Sequence, residues 1–218
     1  MFRHLTAFQK EFSHLRGSII TVDGCIGVGK STLCEAMTKQ FNANDMRCTY
    51  FQEYVNLDVL NLFIDDMSSN AFAFQLFMLN KRLEIYREAI RNAQCGNISI
   101  IDRSIIGDQV FMELMFRKQF ISERQREVYF SIRNQEDRLV PNFMFYLEIS
   151  PENSLTRIRK RDRKGEDAYH LDYVESVVDV HDELFDKIEN EYPGQVIRVN
   201  WNRHQDEVDV MEILRLTF

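Results

Sequence analysis

The sequence predicts a doubly wound α/β fold, a five-stranded parallel sheet flanked by helices. Two observations carry this. Strand-like apolar runs at 18–22, about 48–52, 98–101, 143–149 and 195–199 alternate with helical runs, the order from which parallel sheets are built. The segment Gly24-Cys25-Ile26-Gly27-Val28-Gly29-Lys30-Ser31 fits G-x-x-x-x-G-K-[ST]. It follows the first of those strands and opens a helix from Thr32 to Phe41, the context a phosphate-binding loop needs. A length of 218 residues suits one such domain with a full core.

In chain order, residues 1–17 form an extension. Phe2, Leu5, Phe8, Phe12 and Leu15 recur in it at helical spacing, so this arm is expected to dock as a helix. Residues 18–218 form a single domain. In the phosphate loop, Gly24, Gly27 and Gly29 free the backbone to turn N–H groups toward one anion, and the helix N-terminus adds positive potential. Lys30 is placed to reach β- and γ-phosphates, with Ser31 as a Mg²⁺ ligand. The second strand ends at Glu53.

The run 71–94 is a long helix with an apolar stripe of Phe72, Leu76, Leu79, Leu83, Tyr86 and Ile90. Gln75 and Arg82 are two turns apart, so they share a face bordering the stripe and look into a pocket beside it. The strand Ile98-Ser99-Ile100-Ile101 delivers Asp102-Arg103-Ser104. Ser122-Glu123-Arg124-Gln125 reads as a capping box opening a helix over 122–138. Ser150-Pro151 opens another helix. Leu171 to about Glu191 is a further helix closed by Pro193-Gly194, and a helix near 206–217 finishes the chain.

Charge and cysteine content exclude several classes. A net charge of −7 argues against broad nucleic-acid binding. The four cysteines form no metal-ligand spacing and read as reduced thiols, so an intracellular, cytoplasmic protein is expected. No apolar run is long enough for a membrane span. Cys25, near a helix N-terminus, is expected to be a reactive thiolate that ATP protects.

Strand ends in a doubly wound sheet point at one crevice, so the phosphate loop, Glu53 and Asp102 are expected to converge. Asp102 is then a Mg²⁺ ligand, and Glu53 a base for an attacking hydroxyl. Residues 157–164 hold six Lys/Arg in eight positions. Arg157 and Arg161 share a helical face and Arg163 lies nearby. This segment is read as a lid, about 157–168, that closes over a nucleoside triphosphate and offsets charge on the transferring phosphoryl group.

Taken together these residues resemble the deoxynucleoside kinase family, which includes deoxycytidine, deoxyguanosine and deoxyadenosine kinases. The resemblance runs from about Ser18 to Glu191. It rests on Glu53 before Val55, Phe74-Gln75 on a helix, Asp102-Arg103-Ser104, and Arg157-x-x-x-Arg161-x-Arg163-x-x-Glu166. It implies a P-loop kinase fold with a helical Arg-rich lid, ATP and Mg²⁺ as cofactors, and a deoxynucleoside as the small-molecule substrate. It also implies a homodimer formed through helices near 71–94 and 108–138, where Phe111, Leu114, Met115, Phe116 and Phe120 are more apolar residues than one helix face buries.

By the same resemblance, Lys30, Glu53 and Arg103 carry the reaction, with Glu53 as general base and Arg103 orienting it and the 5′-hydroxyl. Gly24, Gly27, Gly29, Lys30, Ser31, Thr32, Arg157, Arg161 and Arg163 bind the nucleotide. Gln75 binds the base edge and Glu166 the sugar 3′-hydroxyl. Arg82 and Asp108 match positions that carry Arg and Asp in cytidine- and purine-directed members. An Asp accepts from an exocyclic amino group that thymine lacks. The plainer reading makes Asp108 a helix N-cap before Gln109 and Arg82 a solvated residue. Phe111 is the candidate for stacking on the base.

The chain departs from the family pattern at Tyr54, where Glu-Pro-Val is usual, at Ile64, where relatives carry a sugar-binding tyrosine, and at Gly165 in the lid. The rival readings are a nucleoside-monophosphate kinase of the thymidylate type, and a non-catalytic assembly subunit of the same fold. The second expects loss of some of Lys30, Ser31, Glu53, Asp102, Arg103 and the lid arginines, and all are present. A motor or switch NTPase fits a chain of this size less well.

Overall fold

The computed structural model describes residues 6–135, 140–163, 166–202 and 210–217. Five strands, β1 (Ile19–Gly24), β2 (Cys48–Phe51), β3 (Ile98–Asp102), β4 (Phe143–Glu148) and β5 (Val196–Asn200), form one sheet in the order β2-β3-β1-β4-β5. Every pairing is parallel. Val22 lies opposite Asp102 and Phe51 opposite Ile101. The carboxyl ends of the three strands that carry the motifs are therefore level with one another. β3 is buried along its whole length, as a central strand covered on both faces must be.

Nine helices accompany the sheet among the described residues: α1 (Ala7–Glu11), α2 (Lys30–Ala43), α3 (Leu57–Asp65), α4 (Met67–Gln94), α5 (Ile105–Arg117), α6 (Glu123–Arg133), α7 (Pro151–Arg161), α8 (Leu171–Glu191) and α9 (Val210–Thr217). α4 begins four residues before the expected start because Asp66 caps it, accepting from the Ser69 N–H. Ser122 and Gln125 close the expected capping box on α6, but that helix stops at Arg133; residues 136–138 of the expected span lie outside the described residues. So do 206–209 of the last helix, and Gly165.

The N-terminal arm docks as expected, in two short pieces. α1 is followed by a 3-10 turn over Ser13–Leu15. Phe12 and Leu15 are fully buried, and Phe8 and Phe12 pack their rings against Phe41 of α2. Phe2 and Leu5 lie outside the described residues. On α5, Leu114 and Met115 are buried inside the chain and Phe116 lies beneath the Arg126 guanidinium. The apolar excess expected on that helix is thus largely absorbed internally, because α5 is covered on more than one side.

Candidate active site

The phosphate loop takes its shape from its glycines. Gly24, Gly27 and Gly29 have φ of 144°, 74° and 108°, values that side chains with a Cβ rarely adopt. A Cβ on Gly27 would also stand 2.8 Å from Ile158 of α7, so the loop can pack against the lid helix only with glycine there. Gly29 is the N-cap of α2 and Lys30 its first residue. The first-turn N–H groups, which lack intrahelical partners, thus face the crevice above the sheet. The buried Lys30 ammonium donates to the carbonyls of Cys25 at 3.1 Å and Gly24 at 3.4 Å. Burial and then the nearby Arg103 charge bring its pKa down to about 8.

Asp102, at the end of β3, accepts from the Ser31 hydroxyl at 2.5 Å and from Tyr50 at 3.1 Å, both on Oδ2. Its Oδ1 is buried with no partner among the described residues. A hydroxyl beside a carboxylate with a spare oxygen is the hard donor set that Mg²⁺ takes alongside substrate phosphates, so these residues fit that ion.

Glu53 follows β2 and is gripped by two guanidinium groups. Arg82 Nη2 lies 2.6 Å from Oε1 and Arg103 Nε 3.0 Å from the same oxygen. Burial alone would raise its pKa. The charges of Arg103, Arg82 and Lys30 outweigh burial and hold it down at about 2. Arg103 is in the left-handed region, with φ of 69°, and its N–H extends the sheet by donating to Val22. Such strain persists only where the surroundings impose it.

Arg82 is buried on α4 and reaches in two directions, to Glu53 and, through Nη1, to the fully buried Asp108. Tyr129 of α6 donates to the other oxygen of Asp108 at 2.5 Å. Burial is the largest influence on Asp108 and pushes its carboxyl up, opposed by Arg82 and the Tyr129 hydroxyl. The N-cap reading of Asp108 is wrong. Ser104 caps α5, accepting from the Gly107 N–H, and Asp108 lies within the first turn. The solvated reading of Arg82 is equally wrong.

Two cavities meet here. The larger, about 960 Å³, runs along the phosphate loop from Gly27 to Thr32, past Asp102, and under Arg157, Arg161 and Arg163. The smaller, about 110 Å³, is bounded by Gln75, Arg82, Arg103, Phe111 and Glu166, with Phe63, Phe74, Tyr169 and Tyr173 as aromatic walls. Gly27, Lys30, Glu53, Arg161 and Arg163 line both. The smaller slot is narrower than ordinary small-molecule sites, about 300–1,000 Å³, so its walls must part to admit a ligand. Gln75 is buried beside it, as its position on the helix face required. Phe111 presents one ring face to Arg103, 4.8 Å away. Asp108 and Ile64 line neither cavity, so Asp108 meets the slot only through Arg82.

The lid is held by its own counter-ion. Arg161 makes a two-pronged pair with the buried Glu166, at 2.6 and 2.7 Å through Nη2, and Arg163 lies 3.6 Å from it. Arg157 instead donates to the carbonyls of Val28 at 2.7 Å and Trp201 at 2.8 Å, tying the lid helix to the phosphate loop. Cys25 does not fit the reactive-thiolate expectation. It is buried, and burial pushes its thiol up more than the neighbouring charges lower it. Sequence reasoning missed Tyr50, Tyr129 and Trp201. No local pattern marks them, since their partners lie far away in the chain.

The deoxynucleoside kinase family profile matches residues 20–216. The chain is 29% identical over 206 residues to a deoxyadenosine kinase of Dictyostelium discoideum, covering 94% of this chain and 80% of that one. It is 30% identical over 163 residues to a deoxyadenosine/deoxycytidine kinase of Bacillus subtilis, covering 72% of each. A solved structure of deoxyadenosine kinase from M. mycoides with bound dATP superposes with a TM-score of 0.76 at 20% identity, over 92% of this chain and all of that one. With the profile spanning nearly the whole sequence, this chain belongs to the deoxynucleoside kinase family of phosphotransferases.

Proposed function

We propose that the protein transfers the γ-phosphoryl group of ATP to the 5′-hydroxyl of a deoxynucleoside, and that Ser31 and Asp102 would hold Mg²⁺. Purine and cytidine deoxynucleosides are preferred over thymidine. The observation that carries this is the meeting of two cavities at Glu53, Lys30, Arg161 and Arg163. A donor phosphate held on the loop and a hydroxyl held in the slot would face each other there. Bringing the two into line supplies most of the rate, and cations offset the charge on the transferring group. Mg²⁺, when bound, supplies further neutralisation of the phosphate oxygens.

Arg103 orients the hydroxyl and Glu53, Glu53 takes the proton late, and Gln75 reads the base edge through its amide. Glu166 carries the lid arginines and binds the sugar 3′-hydroxyl when they move to phosphate. Phe111 packs on the base. The Arg82–Asp108 pair supports a preference for amino-bearing bases, and relatives named for deoxyadenosine, deoxyguanosine and deoxycytidine point the same way. Residues 18–218 act as one domain with the lid at about 157–168. Two copies pair through α4 and the α5–α6 region, which light scattering of the purified protein will test.

The test is ATP consumption with deoxyadenosine, deoxyguanosine, deoxycytidine, thymidine and dTMP in parallel. Turnover of amino-bearing deoxynucleosides with thymidine poor is the expected result. Thymidine as best substrate would overturn the role of Arg82 and Asp108. Activity on dTMP alone would move the protein to monophosphate kinase chemistry.

A further inference from the structure

The buried carboxylate Asp23 stands outside every role given above. It is the residue before the phosphate loop and is fully inaccessible to solvent. Oδ1 accepts from the Ser104 N–H at 2.9 Å, and Oδ2 is buried with no partner among the described residues. A buried carboxylate costs free energy unless nearby donors or charges compensate it.

Its surroundings are specific. Val22 and Asp102 are opposite each other in the sheet, so Asp23 and Arg103 are the next residues out on neighbouring strands. A Cβ on Gly107 would stand 2.0 Å from Asp23 Oδ1 and 3.4 Å from Cγ of Arg103. The carboxylate and the stem of Arg103 thus converge on the bare face of one glycine. Gly107 does not have positive φ, so what requires it is close approach rather than backbone conformation. Arg103 Nη1 is itself buried without a partner among the described residues, and the Arg103 charge is one of those that oppose the cost of burying the Asp23 carboxyl.

We infer that Asp23 is a positioning residue: it pins the β3–α5 turn to the phosphate-loop strand and so holds Arg103 in its left-handed conformation, aimed at Glu53. One buried side chain thereby sets the spacing between the loop that holds donor phosphates and the helix that carries Asp108 and Phe111. This inference rests on the phosphotransfer reading of Arg103 and Glu53.

The experiment compares wild type with Asp23→Ala, Asp23→Asn and Gly107→Ala, measuring kcat, nucleoside KM and MgATP binding. Binding is read from Trp201, the single tryptophan of the chain, which lines the larger cavity. Asp23→Ala should lower kcat about ten- to a hundredfold and raise nucleoside KM, the loss expected when a catalytic group is misplaced. MgATP should bind no more weakly, since the charge removed has the ligand's own sign.

Gly107→Ala should reproduce the kinetic defect from the other side of the contact. Its penalty should shrink in the Asp23→Ala background, where the methyl group has room. Asp23→Asn keeps volume and the Ser104 acceptor, so it folds if Asp23→Ala does not. It should show a smaller kcat loss with MgATP binding intact. Wild-type kcat and KM in a folded Asp23 variant, or a parallel loss of MgATP binding, would overturn the inference while wild-type turnover keeps the functional reading. Wild-type protein inactive on every deoxynucleoside would bring down both.

Discussion

Glu53 and Asp108 sit at opposite ends of one guanidinium, that of Arg82. The carboxylate proposed to take the proton and the carboxylate proposed to select the base are therefore joined by a single side chain. Whatever draws Arg82 toward a bound base also alters the charge around Glu53. The narrow slot beside it has to open for this to happen, and Arg82 is one of its walls.

Arg82→Met should leave Asp108 buried opposite Tyr129 without its cation. Breaking such a pair costs about 3–5 kcal/mol, read as a lower midpoint in urea. The double variant Arg82→Met with Asp108→Ala should recover much of that loss. It should also raise the kcat/KM of thymidine relative to deoxyadenosine by about tenfold, the scale of one lost polar selection.

Glu53→Gln should lower kcat by about 100- to 10,000-fold, the usual worth of a general base, while Trp201 fluorescence reports near-normal MgATP binding. The carboxyl is held at about 2, below its ordinary 4.5. Its contribution to stability is thus complete above the ordinary value and is lost as pH falls toward 2. In wild type it should produce no acid limb in kcat/KM near neutrality. In Arg82→Met the limb should move upward, because one of the three cations that hold it down is gone.

Lys30 has its pKa brought down to about 8 by burial and by Arg103. In the free protein its charge is present below that value and fades above it. Phosphate binding should pull the proton back on. MgATP affinity is therefore expected to fall as pH rises through about 8, with proton uptake on binding measured by calorimetry in buffers of different ionisation enthalpy. For folding, stability again rises with pH, as it does for Glu53, but here what changes is a cost rather than a gain. The buried ammonium is a cost below about 8, relieved as pH rises toward 10.5.

Thiol titration of the native protein should show one fast cysteine. Cys95 is exposed, and Cys25, Cys34 and Cys48 are buried. Modification of Cys95 should leave activity unchanged. A second fast thiol that ATP protects would mean Cys25 opens to solvent.

Much of the site was legible in the chain because its signals are local. Strand–loop–helix order located Lys30 and Ser31, and a two-turn spacing put Gln75 and Arg82 on one face of α4, where both border the slot. Alternation of strands and helices placed Glu53 and Asp102 at neighbouring strand ends. Tertiary structure alone decided the rest, because it depends on what approaches from elsewhere in the chain. Cys25 lies where a helix N-terminus should favour a thiolate, but burial pushes its thiol up and reverses the expectation, even though Ser154, 129 positions away, donates to its sulfur and works the other way. The hold of Tyr129 on Asp108 and the approach of Gly107 to Asp23 likewise span separations that no periodicity records. Local patterning determines which side chains face the crevice; burial, and the partners met across it, determine their charge and reach.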